Sequence, residues 1–526
     1  MNPSKKIDLC KPEDDDRSSK LQEIEKHVQK PSLGDSGDLN SFDDDFDSSP
    51  MIKGTHLQSN NDEKGSSFVS DGILEDFSNK SRNIDGSENI IVPSSKTDAN
   101  ETNDQKLSTN ERIRLAGELF IEANSLKHDE ISGTNNLILS RLSDNEGKDI
   151  KLLLTLLDSA EKIGQRQFDQ ATKLIESCNN MCSAEGNPIE RLVYYFSEAI
   201  REKIKCEMET EANEGLETIK MFDLQEVLTS VDTTSIISFH QRLPLSRICQ
   251  FSSVHMIIEN VKKARKIHVI DLEIRTGMKY IVMLQALASR YERDLEHFKI
   301  TAIGWREESK IKDTCKRLAD FAKSMNVSFS FKIVMVADVS DFNIDLLELN
   351  EEEKVVVYAP VFLSTLIVKP NDLEYLMCVI RKINPCITVV AEIEANLTSP
   401  AFSHRFIEAL FFYGALFDSM SYCLTDEDSS RRVLESVFLG QTIRNIVAAE
   451  GDERTMRHVS VDVWRLYFAR FGMEEIELSA ESLFEAKLFI DKFDCESGSS
   501  IRDHGGCLVV DWKDVPIYSV SAWKFV

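Results

Sequence analysis

The chain has 526 residues, of which 42% are hydrophobic and 29% charged, and its formal net charge is -27 at neutral pH. This composition is typical of a soluble globular protein with a sizeable core, and the length corresponds to about three or four domains' worth of chain. Affinity for nucleic acid comes largely from Lys and Arg that displace counterions from phosphates, so the acidic balance disfavours autonomous DNA binding.

Cysteine spacing and apolar runs indicate the compartment. The eleven cysteines are scattered, and Cys178 and Cys182 have no second Cys/His pair to complete a metal site, so we expect reduced thiols and no metal. The first residues lack the apolar stretch of a signal peptide. The longest apolar run, Val355–Val368, is broken by Pro360 and is shorter than the ~20 residues that span a bilayer. The sequence therefore predicts an intracellular protein without membrane contact.

Residues 1–109 form an arm rich in Ser, Asp, Asn and Lys, with no sustained hydrophobic period. Such a segment cannot bury enough apolar area to offset chain entropy, so it is predicted to be a disordered acidic arm. Two stretches, Ser41–Asp47 and Asp71–Phe77, set large apolar residues among acids. They resemble activation segments that offer aromatic side chains to a partner, but an acidic linker with incidental apolar residues fits equally well.

Helical periodicity runs through residues 110–265, which we predict to be an N-terminal helical cap. Leu153, Leu156 and Leu157 share one helical face and fit the LxxLL pattern of partner-binding helices. The alternative is that these leucines pack within their own domain. The strongest helical patterns are Ile150–Ile163, Phe168–Cys182, Pro188–Ile204 and Leu243–Val261.

Strand and helix patterns alternate in residues 266–526, which predicts a Rossmann-like, doubly wound α/β sheet of the methyltransferase type. Strands are predicted at Ile267–Asp271, Phe298–Trp305, Val327–Val336, Lys354–Ala359 and Cys386–Ala391. The intervening and following helices are predicted at Tyr280–Tyr291, Ile311–Met325, Leu373–Ile383, His404–Met420 and Arg431–Ala449. Antiparallel C-terminal strands are predicted at Glu474–Leu478, Lys487–Ile490, Cys507–Trp512 and Ile517–Val520.

An ordered set of motifs over about residues 151–526 resembles the plant GRAS family. The leucine-rich stretch from Leu152 and the segment Ile311–Val336 resemble its two leucine-rich segments, and Ile267–Asp271 resembles the VHIID segment between them. The residues that match the VHIID, PFYRE and SAW segments include His268, Val269, Ile270, Asp271, Glu392, Glu394, Asn396, Arg405, Glu408, Tyr413, Glu450, Gly451, Trp464, Trp512, Ser521, Ala522 and Trp523.

The resemblance implies a nuclear, non-enzymatic transcriptional regulator without a cofactor. Its implied partners are transcription factors and other GRAS proteins, in homo- or heterodimers, with DNA contacted indirectly. The sequence departs from the family pattern at Arg454–Val459, which lacks the usual acids, and at Phe362–Leu366, which replaces a His-Leu element. The arm lacks the DELLA and TVHYNP-type motifs, so binding of a hormone receptor through the arm is not implied.

The alternative function is a small-molecule-binding or S-adenosylmethionine-dependent methyltransferase-like protein. Such proteins need a glycine-rich turn after the first strand, but the turn Asp271–Gly277 holds a single glycine at its end. Asp271, Glu392 and Glu394 follow strand ends, where they would either border a pocket or bind loop amides, helix N-termini or Arg405 and Arg275. No catalytic residue is assigned.

Three further features carry predictions. His268 lies within an apolar strand and is expected to be a core histidine. Lys262, Lys263, Arg265 and Lys266 form a dense basic cluster after the predicted helix Leu243–Val261. It is a nuclear import signal, a phosphate-contacting patch or a set of bases at a helix C-terminus. Trp464, Trp512 and Trp523 are expected to be buried, with Trp523 fixing the last strand in the sheet.

Overall fold

A nine-stranded mixed sheet organises the part of the chain that the computed structural model describes, residues 107–125, 142–211, 243–289, 295–424, 429–491 and 498–526. The strand order is β3-β2-β1-β4-β5-β9-β8-β7, and β6 also pairs with β9. The strands are β1 (Lys266–Asp271), β2 (His297–Gly304), β3 (Phe329–Met335), β4 (Lys354–Pro360), β5 (Ile387–Ile393), β6 (Met473–Glu475), β7 (Ser499–His504), β8 (Cys507–Trp512) and β9 (Val515–Phe525).

Strands β1 to β5 are parallel, and β9, β8 and β7 continue the sheet in antiparallel pairs. This confirms the Rossmann-like α/β class with antiparallel C-terminal strands. Central parallel strands are covered on both faces and must be apolar on both. In β4, Val356 and Tyr358 face one core cluster while Val357 and Ala359 face the other.

The helices alternate with the parallel strands and also form a separate layer. In chain order they are α1 (Thr109–Ser125), α2 (Asp144–Gly164), α3 (Phe168–Asn179), α4 (Pro188–Glu211), α5 (Pro244–Asn260), α6 (Met278–Ala288), α7 (Glu308–Ser324), α8 (Pro370–Ile383), α9 (Phe402–Cys423), α10 (Ser429–Val433), α11 (Gly440–Val447), α12 (Val461–Ala469) and α13 (Ala480–Asp491), with a π-helical turn at Leu434–Leu439. None of these described helices combines the length and apolarity of a bilayer span.

The helices cover the sheet on both faces, as a doubly wound topology requires. Helices α5, α6 and α7 bury their apolar faces on one side of the sheet, and α8 and α12 on the other. Helices α1, α2 and α4 pack against α9, and α4 also packs against α11. The helical layer therefore includes helices from the C-terminal half, whereas α5, which lies before residue 265, packs on the sheet.

The predicted strand Lys487–Ile490 is wrong, because these residues lie inside α13. A short apolar run is compatible with either a strand or a buried helix, and here the neighbouring residues decide. Phe489 stacks on Phe251 of α5 with ring centroids 4.3 Å apart, which places the segment as a helix against α5. Strand β7 was not predicted, since its residues alternate polar and charged types with few apolar ones.

Strand β9 joins the two halves of the sheet, and Trp523 fixes it there. Trp523 is 2% exposed, and its ring centroid lies 4.7 Å from that of Phe468 in α12. Its indole N–H donates to Ser521 Oγ at 2.9 Å, so its polar atom is satisfied within the core.

Because a large buried side chain is lost, we expect Trp523→Ala to lower the free energy of unfolding by about 3–5 kcal/mol. Urea unfolding followed by circular dichroism would measure this. Lys524→Ala changes the exposed neighbour on the same strand and should stay within about 0.5 kcal/mol of the unsubstituted protein. Equal losses in the two variants would contradict the assigned role of Trp523.

Candidate functional site

The carboxyl edge of the parallel strands begins with Asp271 at the end of β1. Its carboxylate is fully buried and accepts hydrogen bonds from the Glu273 backbone N–H at 2.9 Å and from the Tyr280 hydroxyl at 2.7 Å. Lys279 Nζ forms a salt bridge with Asp271 Oδ2 at 2.9 Å. Two side chains from the first turn of α6 thus bind the acid that ends the first strand.

The Lys279 ammonium is itself buried, so its charge depends on these neighbours. Burial lowers the pKa of Lys279, while the Asp271 carboxylate acts in the opposite direction. The ammonium also lies 4.6 Å from the centroid of the Tyr358 ring, whose face is a favourable position for a cation. Burial, with Asp271 next to it, raises the pKa of the Tyr280 hydroxyl, which stays protonated and donates to Asp271.

The turn between β1 and α6 fills the region beside Asp271 with side chains. Leu272 is fully buried and Ile274 is 2% exposed. The Trp305 indole N–H donates to the Leu272 carbonyl at 2.8 Å. Gly277 has φ +67°, and a Cβ there would lie 2.7 Å from the Thr314 side chain, so the glycine serves the close approach of α6 and α7. Its role here is packing between helices.

Glu392 and Glu394 follow at the end of β5. Glu392 Oε1 accepts the Ser364 backbone N–H at 3.2 Å, and both oxygens of Glu394 accept the Val461 N–H at 3.1 and 3.0 Å, at the N-terminus of α12. Burial raises the pKa of each carboxyl to about 7. Ser364 lies in the short 3-10 helix Leu363–Leu366, so both acids accept hydrogen bonds from amides in the first turns of helices, which agrees with one of the two alternatives stated for them.

Arg405 binds a different acid from those predicted for it. The fully buried guanidinium donates to Glu450 Oε1 at 2.6 Å, and it also donates to the carbonyls of Ser399 and Pro400. Lys203 Nζ of α4 lies 2.8 Å from the same Glu450 oxygen. Burial alone would raise the pKa of Glu450, but the nearby charges of Arg405 and Lys203 outweigh this effect and hold the pKa below its usual range. This network ties α4 and α9 to the loop after α11.

The remaining motif residues pack or form hydrogen bonds within the chain. Trp512 donates its indole N–H to Asp418 of α9 at 2.7 Å, which joins the sheet to the helical layer. Tyr413 is buried in α9, and Trp464 is buried against Phe468. Val269, Ile270 and Ala522 are buried apolar positions, Asn396 Oδ1 accepts the Thr398 hydroxyl at 3.2 Å, and the Gly451 carbonyl accepts the Arg457 guanidinium at 2.6 Å.

His268 lies inside the core, as predicted. Its Nε2 is 2.7 Å from Thr301 Oγ1, and its Nδ1 is 3.0 Å from Glu353 Oε2. Burial, with Lys299 and Lys332 nearby, lowers the pKa of the imidazole to about 3. In the described residues there is no group of three or more His, Cys, Asp or Glu side chains placed to hold a metal ion.

The three leucines of the LxxLL pattern lie in the interior of the protein and not on its surface. Leu153, Leu156 and Leu157 are each 0% exposed and belong to the central core of the chain. Their assignment as a partner-binding face is corrected accordingly, because α2 turns this face toward α1, α3 and α4 and away from solvent. Glu408 of α9, another motif residue, is half-buried.

Comparison with known protein families shows which family the chain belongs to. The model of the GRAS domain family matches residues 152–524. The chain belongs to the GRAS domain family. This GRAS chain is 28% identical to the DELLA protein RGL1 of Arabidopsis thaliana over 75% of its own length and 73% of that protein's. It is 27% identical to DELLA protein 2 of Medicago truncatula, over 82% and 79% of the two lengths.

A solved GRAS structure has the same fold. The crystal structure of SCL7 from Oryza sativa superposes with a TM-score of 0.60 at 25% identity, over 67% of this chain and 94% of the other. The GRAS relatives named above are transcriptional regulators that act through protein interactions, and this GRAS domain is assigned to the same class. Nothing in the comparisons favours a methyltransferase.

The sequence did not indicate three residues of these polar networks, Lys279 and Tyr280 beside Asp271 and Lys203 beside Glu450. Lys279 and Tyr280 could have been found, because the first turn of a helix that follows a strand lies beside that strand's carboxyl end. No comparable signal marks Lys203, since its partner Glu450 is 247 residues away.

The buried Asp271–Lys279 pair gives a double-mutant prediction. Asp271→Asn or Lys279→Met alone removes one partner of a buried pair and should lower the free energy of unfolding by about 3–5 kcal/mol. The double variant should lose clearly less than the sum of the two, which denaturant unfolding of all four proteins would measure. Additive losses would mean that the two charges do not stabilise each other.

The Glu392 carboxyl gives a pH prediction. Since its pKa is about 7 in the folded protein and lies near 4.5 ordinarily, its contribution to stability is present below pH 4.5 and is lost as the pH rises through 7. Glu392→Gln stays neutral, so its free energy of unfolding relative to the unsubstituted protein should rise between pH 5 and pH 8, by up to about 3 kcal/mol.

Urea unfolding at both pH values, with the exposed Glu481→Gln as the control for loss of one surface charge, checks this. A constant difference between Glu392→Gln and the unsubstituted protein at both pH values would contradict it.

Proposed function

We propose that this GRAS domain regulates transcription in the nucleus as a scaffold that binds DNA-binding transcription factors and other GRAS proteins, without catalysing a reaction. The observation that carries the proposal is the family match over residues 152–524, on a sheet whose carboxyl edge is occupied by the chain's own side chains. Asp271, the acid best placed to contact a cofactor in this class of fold, binds Lys279 and Tyr280 instead.

Charge supports indirect contact with DNA. The net charge of -27 opposes the phosphate backbone, so a bound transcription factor would supply the cations that hold DNA. A scaffold of this kind needs a rigid body, and the polar networks around Asp271 and Glu450 support one.

For pairing with other GRAS chains we propose the outward surface of the helical layer, since the leucines of α2 are internal. Helices α1, α2 and α4 present charged residues such as Glu111, Lys151 and Arg201 to solvent on their outer faces. Homo- or heterodimers with other GRAS chains would use this surface.

For nuclear import we propose Lys262, Lys263, Arg265 and Lys266, which extend from the end of α5 to the first residue of β1. Lys262, Lys263 and Arg265 are exposed, as recognition by an import receptor requires. Arg265 also pairs with Glu296 at 2.5 Å, and Lys266 contacts Glu296 and Glu352 at the start of the sheet.

The test is DNA binding with and without nuclear proteins. The purified full chain should bind promoter DNA weakly, and the tagged chain isolated from plant nuclei should retain that DNA through a co-purified transcription factor. A thermal-shift scan with S-adenosylmethionine should leave the melting temperature unchanged.

Tight and steeply salt-dependent DNA binding by the purified chain alone would assign direct DNA recognition instead. A clear rise of the melting temperature with S-adenosylmethionine would support the ligand-binding alternative.

A further inference from the structure

Helix α13 presents two large apolar side chains to solvent on one face. Phe484 is 59% exposed and Leu488 is 39% exposed, and residues four apart lie one above the other on a helix. The opposite face is packed, with Ser482 and Ala486 buried and Phe489 stacked on Phe251. The helix therefore buries one apolar face within the chain and leaves a second one open among the described residues.

The helix is held firmly, so the exposed pair is preorganised. Glu259 Oε2 of α5 accepts hydrogen bonds from Ser482 Oγ at 2.8 Å and from Ser479 Oγ at 2.9 Å. His255 Nδ1 of the same helix lies 2.9 Å from Ser482 Oγ. A partner that docks on Phe484 and Leu488 would not have to order α13 first, which lowers the entropic cost of binding.

The charges around the pair are predominantly acidic. Within one helical turn of the pair, Glu481 and Asp491 are exposed and Glu485 is half-buried, while Lys487 is the single base within α13. No salt bridge joins these three acids to another described residue. Such a frame attracts a cationic partner and repels a second acidic surface, including the same surface on another copy of this chain.

We propose that the α13 surface, which consists of Phe484 and Leu488 framed by Glu481, Glu485 and Asp491, binds a basic amphipathic helix of a DNA-binding partner. The proposal rests on the proposed function and names the surface and the chemistry of that partner. Proteins that bind DNA carry Lys and Arg for its phosphates, and a helix with apolar anchors one turn apart fits two exposed side chains at this spacing.

A labelled amphipathic helical peptide of about 18 residues, made of Leu and Lys, is the probe. Its binding to the full chain at physiological ionic strength is measured by fluorescence anisotropy. The double variant Phe484→Ser/Leu488→Ser should weaken binding by at least about tenfold. Leu466→Ser, an equally accessible site on α12 at 41% exposure, is the matched control and should change it by less than about twofold.

A peptide of the same pattern with Glu in place of Lys should bind at least about tenfold more weakly. Unchanged affinity in the double variant, an equal loss in Leu466→Ser, or equal binding of the Glu peptide would each overturn the proposal. A dimer that light scattering shows to be dispersed by Phe484→Ser/Leu488→Ser would assign the surface to a second copy and also overturn it.

The outcome is separable from that of the proposed function. If the double variant still co-purifies with the transcription factor at the normal level, the α13 docking surface is wrong and the scaffold function stands. If no factor co-purifies with the unsubstituted chain while the peptide measurements hold, the scaffold function fails.

Discussion

The buried ion pair between Asp271 and Lys279 holds the turn after β1 and the first turn of α6 in place at the carboxyl edge of the sheet. A carboxylate at the end of a central strand is costly to bury unless it is paired and hydrogen-bonded. Here the first turn of α6 supplies both the cation and the Tyr280 hydroxyl. In a doubly wound fold this is the position where a ligand would contact the protein. The acceptor groups of Asp271 are instead used to hold α6 against β1, which turns a ligand-binding position into a structural one.

A second polar network, around the partly exposed Glu450, joins segments that lie farther apart in the chain. Glu450 lies between Lys203 and Arg405, so a loop from the C-terminal half joins helices α4 and α9. Asp418 adds a further link, since it accepts the Trp512 indole N–H of β8 and the Thr109 hydroxyl of α1. The helical layer and the sheet are therefore fastened by polar contacts as well as by a shared apolar core. This rigidity suits a protein that presents surfaces to partners.

The acidity of the chain shapes its surfaces and thus the partners that fit them. The α13 surface combines an apolar pair with acids, which fits a cationic helix better than another copy of the chain. The basic cluster before β1 is a local exception, and its Lys and Arg side chains lie where α5 ends. The division between an acidic body and a small basic segment is consistent with import of the chain and recruitment of a DNA-binding factor by different surfaces.

The sequence by itself determined the α/β class, the parallel strands and most helices, because alternating strands and amphipathic helices leave few ways to bury their apolar residues. The order of the motifs along the chain also indicated the family. Tertiary structure decided the rest. Lys487–Ile490 are helical because Phe489 packs on α5. Leu153, Leu156 and Leu157 are buried, although their pattern alone is compatible with an inward or an outward face. The tertiary structure also paired Arg405 and Lys203 with Glu450, since which charges meet depends on how distant segments pack and not on their local sequence.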